Sequence, residues 1–415
     1  MAAIGAGGDV VLLSPTGSGK TLAFLLPLLH AIDRSEKRTQ AMIVVPSREL
    51  ALQIDDVWRA MRTGLKCTVC YGGHKREIEE QNLVEAPALI IGTPGRLGDH
   101  LRRGSIGVES IRTLVLDEFD KSLEAGFEEE VAFVVTSLTG LTGRVLTSAT
   151  AMKTYPEWLG MDSAQILRFL PEDITTGSLG MDVRVVHSPD KDKLDTLLSL
   201  IASTGGRSAI VFLNHRDAVA RTAGYLRDAG IGAGHYHGGM EQRDREAALA
   251  KFRNGSTPIL VTTDLAARGL DVPNIRYIIH YHLPDTEATW THRNGRTARM
   301  DASGTAVLVL APGEVLPKYA GAAVSEITLP ADTQIPPKPE WQTLRIAAGK
   351  KDKINKVDIV GFLTKVCGLK KEDVGLIEVK DFLSFAALRR GRMAHVVHTA
   401  QSARIKGARI NMEPA

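Results

Sequence analysis

Cysteine is scarce in this chain: 3 residues among 415 cannot build a disulfide framework. Two of them, Cys67 and Cys70, form a CxxC. No second pair and no His-x-His partner lies nearby in the sequence to complete a zinc site, and the run KCTVCYGG reads as a strand that explains both. Apolar runs of membrane-spanning length are also missing, and the opening MAAIGAGGDV lacks a basic segment ahead of an apolar one. Neither insertion nor export is indicated, which makes a cytoplasmic home the default and gives the membrane no part as a partner. A strong excess of one charge is lacking too, since the net balance is +3. Its distribution is uneven, however: residues 342–415 carry 15 Lys+Arg against 7 Asp+Glu, leaving 36 against 41 for residues 1–341. A small basic tail on a slightly acidic body suits a polyanion partner, or simply a solvated lysine-rich surface.

What the chain does have is length and apolar content, 44% hydrophobic over 415 residues, enough for two or three cores. Short apolar runs, DVVLL (9–13), AMIVV (41–45), ALII (88–91), TLVL (113–116) and RVLT (144–147), alternate with helical patterns over Thr21 to Ile32 and Arg48 to Met61. After PEDITTGSLG (171–180) the rhythm restarts with VRVVH (183–187), AIVFL (209–213), PILVTT (258–263), YIIHY (277–281) and TAVLVL (305–310). Two similar α/β domains with parallel sheets are predicted, over 1–170 and 183–330, with ligands at the carboxyl ends of the strands. A proline-rich join, PADTQIPPKP (330–339), precedes a third domain over 342–415. There QTLRIAA, a helix near Lys356 to Cys367, GLIEV, SFAAL, a helix near Arg392 to Ala403 and ARINM run strand, helix, strand, strand, helix, strand. That is the order of an RNA-recognition sandwich, and equally of an unrelated ferredoxin-like module.

The segment TLVLDEFDKS (113–122) ends an apolar strand on three carboxylates, Asp117, Glu118 and Asp120. Taken alone, they either cap the following helix or hold a metal and a water for hydrolysis. A second motif bears on the choice. DVVLL runs into SPTGSGKT (14–21) and then a helix, where Gly17 and Gly19 let backbone N–H groups turn toward phosphates, Lys20 can neutralise them and Thr21 can offer a hydroxyl to Mg²⁺. Ser14 stands where the strict pattern has glycine. A phosphate loop needs a strand-end aspartate to complete Mg²⁺ coordination and a group that orients water; Asp117 and Glu118 fit those tasks.

SPTGSGKT, VPSRELALQ (45–53), YGG (71–73), TPGR (93–96), DEFD (117–120), SAT (148–150), TTDLAARGLD (262–271) and HRNGRTAR (292–299) occur in the order and spacing of DEAD-box RNA helicases. The chain resembles that family over nearly all of residues 1–330. The resemblance implies two tandem RecA-like domains, the P-loop NTPase core of superfamily 2 helicases, with ATP and Mg²⁺ as cofactors and RNA as partner. It implies that Thr16, Gly17, Ser18, Gly19, Lys20, Thr21 and Asp117 hold the nucleotide and metal, with Gly269 and Asp271 as contacts from the second domain. Lys20 and Glu118 would act in catalysis with His292, Arg296 and Arg299, the two arginines as fingers of a kind worth ~10³ to 10⁵ in rate in other nucleotidases. Ser148 and Thr150 would link nucleotide state to RNA grip. Pro46, Arg48, Gly73, Thr93, Gly95 and Arg96 would line one half of the RNA groove, with Gln242, Arg245 and Thr263 on the other, reading sugar and phosphate rather than bases.

The tail resembles the RRM-like α+β domain of bacterial family members that act on large-subunit ribosomal RNA during ribosome assembly, through KINKVDIVGFLTK (353–365), DVGLIEV (373–379) and IKGARINM (405–412). Ribosomal RNA or pre-ribosomal particles are the implied partner, with no sign of an obligate protein partner. Phe382 and Phe385 fit the stacking pattern of ordinary RNA-recognition sheets poorly, which leaves binding to charged edges such as Lys350, Lys351, Lys353, Arg389, Arg390, Arg392 and Lys406. Two departures stand out. The aromatic and glutamine that read adenine in the family are not found ahead of Ser14, so either the chain is shortened, which is the expectation, or adenine selectivity is lost; Phe119 and Ala298 replace small residues without removing a carboxylate or an arginine. The expected function is RNA unwinding driven by ATP hydrolysis. The alternatives are an RNA clamp or scaffold with little turnover, and a DNA-directed relative.

Overall fold

The structure is a computed structural model that describes residues 1–415 except 16–17, 74–75, 153, 171–180, 268–271, 273–274, 296–303, 322–323 and 331. Runs such as VVLL and AMIV are apolar at every position, as strands covered on both faces must be, and all their residues are buried. In the first unit, β1 (Val10–Leu13), β2 (Ala41–Val44), β3 (Cys67–Cys70), β4 (Leu89–Gly92), β5 (Thr113–Leu116), β6 (Gly143–Ser148) and β7 (Gln165–Arg168) form a parallel sheet in the order β3-β4-β2-β5-β6-β1-β7. Alternate residues feed two cores. Val11, Leu13, Leu114 and Leu116 join Val131 and Val134 on one face, while Ile43, Val115 and Val145 meet Phe24, Leu28 and Trp58 on the other. The helices predicted from Thr21 and Arg48 span Lys20–Ala31 and Arg48–Ala60; Ser47 caps the latter by accepting from the Leu50 N–H at 3.2 Å.

The second unit repeats the plan with β8 (Asp182–His187), β9 (Ala209–Leu213), β10 (Ala233–Tyr236), β11 (Ile259–Thr263), β12 (Tyr277–His280), β13 (Thr305–Leu310) and β14 (Ser325–Glu326), in the order β10-β11-β9-β12-β13-β8-β14. It also carries the small antiparallel sheet of β15 (Trp341–Ile346), β16 (Val374–Val379), β17 (Ser384–Arg389) and β18 (Met412–Pro414), ordered β16-β17-β15-β18. One expected element moves. ARINM was predicted as the last strand, but the strand spans Met412–Pro414, while Ala408 bridges Ile405 around a turn in which Lys406 and Gly407 both have positive φ. Among the described residues no helix is long and apolar enough to cross a membrane.

Candidate functional site

Parallel strands bring their carboxyl ends to one edge, which gathers Ser14, Asp117 and Ser148 from three distant segments of the first unit. Gly19 opens the helix after the phosphate loop at φ +87°, a left-handed conformation that favours glycine. Ser14, in the place of a glycine, ties the loop down: its Oγ donates to Ser18 Oγ at 2.6 Å, and its N–H donates to the Ser148 carbonyl at 3.1 Å. Lys20 Nζ donates to the carbonyls of Ser14 (2.6 Å) and Pro15 (3.4 Å). Burial lowers its pKa, an effect opposed by the charges of Asp117 and Glu118. Thr21 is partly buried on the same turn, whereas Thr16 and Gly17 lie outside the described residues.

Asp117 is buried at the end of β5. Thr147 Oγ1 donates to its Oδ1, and the Glu118 N–H donates to the same atom at 3.1 Å. Among the described residues both bonds fall on Oδ1, so Oδ2 is the oxygen left for a cation, and the donor set suits a hard metal. Burial, then the Glu118 charge, raises the Asp117 pKa, against the Thr147 hydrogen bond that lowers it. Glu118 has left-handed backbone (φ 50°, ψ 48°), a conformation that costs a non-glycine residue roughly 1–2 kcal/mol, and it pairs with the buried Lys121 at 2.9 Å. Phe119 spends its extra bulk in the core, edge-on to Trp158 at 6.0 Å. Asp120 Oδ2 accepts from Thr150 Oγ1 at 2.8 Å, and Ser148 Oγ is bonded to both the N–H and the carbonyl of Thr150. The DEFD and SAT segments are thereby joined through Asp120 and Thr150, and Thr147, just ahead of SAT, adds its bond to Asp117. Thr147, Asp120 and Lys121 were not among the residues given roles from the sequence; only the count of three carboxylates hinted at Asp120.

The first half of the expected RNA groove also comes together. Arg48 stacks on Tyr71 at 4.3 Å, the Thr93 N–H donates to the Cys70 carbonyl at 3.0 Å, and Gly73 (φ +83°) and Gly95 are exposed while Pro46 is buried. Arg96 is not simply presented to solvent: Nη1 lies 3.5 Å from the buried Glu79, which also pairs with His100 at 2.9 Å. Cys70, Glu79 and His100 place one donor atom each within 4.8 Å of one another, so partners for the cysteine come from elsewhere in the chain. Burial pushes the Cys70 thiol well up, which leaves it protonated and a poor ligand, and Arg96 already shares the carboxylate.

In the second unit Gln242 donates to Glu246 at 2.9 Å and Arg245 donates to the Tyr236 hydroxyl at 2.9 Å; Thr263 ends β11. His292 sits in the helix Glu287–Asn294, partly buried. Gly269, Asp271, Arg296 and Arg299 lie outside the described residues. The dominant side chain of this segment among the described residues is Arg293, to which no role was assigned from the motif. It is buried and grips Asp264 with Nε and Nη2 at 2.6 and 2.7 Å, and it donates to the His282 carbonyl at 2.7 Å and Asn214 Oδ1 at 3.0 Å.

The outer face of the small sheet is partly covered. Asn254 donates to Thr343 at 2.9 Å, Thr343 to Ser256 at 2.8 Å, and Arg253 pairs with Glu378 at 3.1 Å, all from the end of the helix Gln242–Arg253. Phe385 is buried on that face, opposite Arg345, while Phe382 is exposed. Lys351 and Lys353 are exposed at the edge; Arg389 pairs with Glu340, Arg390 donates to the Pro339 carbonyl at 2.7 Å, Arg392 lies 3.3 Å from Asp373, and Lys406 lies 2.8 Å from Asp358.

Comparison with known proteins agrees with this layout. Residues 1–157 match the family described as DEAD/DEAH box helicase, 192–301 the helicase conserved C-terminal domain and 343–414 the DbpA RNA binding domain. The chain is 34% identical over 420 residues to ATP-dependent RNA helicase DbpA of Escherichia coli (strain K12), covering 98% of this chain and 90% of the relative. It is 30% identical over 442 residues to ATP-dependent RNA helicase DbpA of Bacillus subtilis (strain 168), covering 98% and 91%. A solved structure of S. cerevisiae Dbp5 bound to RNA and ADP BeF3 is similar with a TM-score of 0.65 and 25% identity, over 77% of this chain and 85% of that one.

Proposed function

Because the chain belongs to the DEAD-box ATP-dependent RNA helicases of the DbpA type, we propose that its substrate is large-subunit ribosomal RNA during ribosome assembly in the cytoplasm. The observation that carries the catalytic part is the cluster at one sheet edge, where Lys20, Asp117, Glu118 and Thr147 meet and Asp120 is joined to Thr150. Residues 1–170 and 183–330 are the two helicase lobes in this reading and 342–415 the RNA-binding domain.

Lys20 would turn from the carbonyls of Ser14 and Pro15 to the phosphates, and Asp117 with Thr21 would hold Mg²⁺, which when bound supplies charge neutralisation at the phosphate oxygens. Glu118, fixed by its backbone and by Lys121, accepts a proton from the attacking water and orients it. Arg296 and Arg299 are assigned to the γ-phosphate from the second lobe. Asp120, Thr150 and Ser148 carry the change in nucleotide state to the backbone beside the RNA loops. Arg48, Gly73, Thr93, Gly95 and Arg96 on one lobe and Gln242, Arg245 and Thr263 on the other then grip one strand.

A structured ribosomal target is supported by the basic tail, whose sheet face is partly covered while its edge lysines stay exposed for phosphate. Half-saturating concentrations of a large-subunit ribosomal RNA fragment and of an unrelated duplex of equal length test this in the hydrolysis assay. At least a tenfold preference for the ribosomal fragment is expected, lost when Lys351→Glu and Lys353→Glu are combined. Equal half-saturation by both RNAs in the unaltered chain would refute the ribosomal assignment.

A further inference from the structure

We infer that Glu79 is a positioning residue for RNA, the internal tie that holds the two RNA-facing loops of the first lobe in register. The inference rests on the helicase reading and names a residue to which that reading gives no role. Glu79 is fully buried in the helix Arg76–Val84, which touches neither the phosphate loop nor the acids in any bond described above. Its Oε1 accepts from the Tyr71 N–H at 3.2 Å, the residue that opens the Tyr71–Gly73 loop. Its Oε2 lies 2.9 Å from His100 Nε2 and 3.5 Å from Arg96 Nη1, so the same carboxylate reaches the Thr93–Arg96 loop and the helix that follows it. The two loops are in contact besides, since the Thr93 N–H donates to the Cys70 carbonyl and a Cβ at Gly92 would fall 2.6 Å from that same oxygen. Arg48 reaches the assembly through Tyr71 at 4.3 Å.

A buried carboxylate is costly unless its oxygens are bonded, and these bonds run to both loops rather than to one. The consequence for RNA is twofold. Tyr71 to Gly73 and Thr93 to Arg96 are set at a fixed spacing before RNA arrives, which spares the cost of ordering them on binding. Arg96 is also partly neutralised from within, so its contribution to phosphate binding is smaller and less salt-dependent than that of a free arginine.

Glu79→Ala and Glu79→Gln, made in the full chain, test this by RNA-stimulated hydrolysis and by RNA binding across a salt series. The alanine variant is expected to need about tenfold more RNA for half-maximal hydrolysis while the rate at saturating RNA falls by no more than about threefold. Glutamine is isosteric and keeps an acceptor for the Tyr71 N–H, but it removes the negative charge that Glu79 sets beside Arg96. That variant is expected to keep RNA affinity within about threefold at moderate salt, with a slope of log K against log salt steeper by up to about 0.7, the value of one phosphate contact on a single strand. An unchanged slope in the glutamine variant overturns the inference even if the alanine variant fails to fold, and so does an alanine variant with unaltered half-saturation. Hydrolysis by the unaltered chain that RNA does not stimulate would instead overturn the helicase reading on which the inference stands.

Discussion

Replacing Arg293 by Met should destabilise the second lobe more than any surface change in the same motif. The guanidinium is almost fully buried, with 1% of its side chain exposed, and it makes a two-point contact with Asp264. Breaking a fully buried pair costs about 3–5 kcal/mol because the remaining charge is stranded. Asp264 is 31% exposed, so water relieves part of that and places the pair near the lower end of the range. The bonds to the His282 carbonyl and Asn214 Oδ1 add about 1 kcal/mol each, offset in part because the methionine still fills the space over Phe212. A loss of about 3–4 kcal/mol is therefore expected for Arg293→Met. Lysine should recover little of it, since an ammonium cannot make the two-point contact. Urea unfolding of the second lobe, followed by the fluorescence of Trp290, which stacks on His280 at 4.6 Å, provides the assay. In a double-mutant cycle with Asp264→Asn, the coupling should be about 2 kcal/mol. A coupling below about 0.5 kcal/mol would show that the pair does not hold the helix carrying His292 in place, and would refute the reasoning.

Two further outcomes follow from Asp117. Burial and the neighbouring Glu118 charge raise its pKa above 3.8, so its favourable contribution to folding is present only at acid pH and is lost as pH rises through the raised value. At neutral pH Asp117→Asn should thus raise the thermal midpoint of the first lobe while abolishing ATP turnover; a lower midpoint would contradict the assigned cause. The acid limb of the turnover profile should likewise lie above pH 3.8 at low magnesium and move to lower pH as magnesium is raised, which a pH–rate series at two magnesium concentrations measures.

Features that depend on neighbours in the chain could be read from the residues. Apolar runs leading into SPTGSGKT and into DEFD placed the phosphate loop at the end of β1 and Asp117 at the end of β5, and the period from Arg48 onward marked a helix. The strand Ala233–Tyr236 escaped because AGHY is too short and mixed to show a period, and its place at the sheet edge is set by β11. Contacts between distant residues were hidden for a different reason. Glu79 and His100 are 21 positions apart, Thr147 and Asp117 are 30, and Asn254 and Thr343 are 89; each pair meets only once sheet register is fixed. Arg293 lay inside a motif that was read, but its burial could not be told from the exposure expected of an arginine.

ATP hydrolysis by the full chain and by Glu118→Gln, each with and without RNA, is the most direct test of an RNA-driven ATPase built on the DEFD edge. RNA should stimulate the unaltered chain, and the glutamine variant should bind ATP with similar affinity yet show no stimulated turnover. Equal turnover by the two proteins, or a rate indifferent to RNA, would contradict the account.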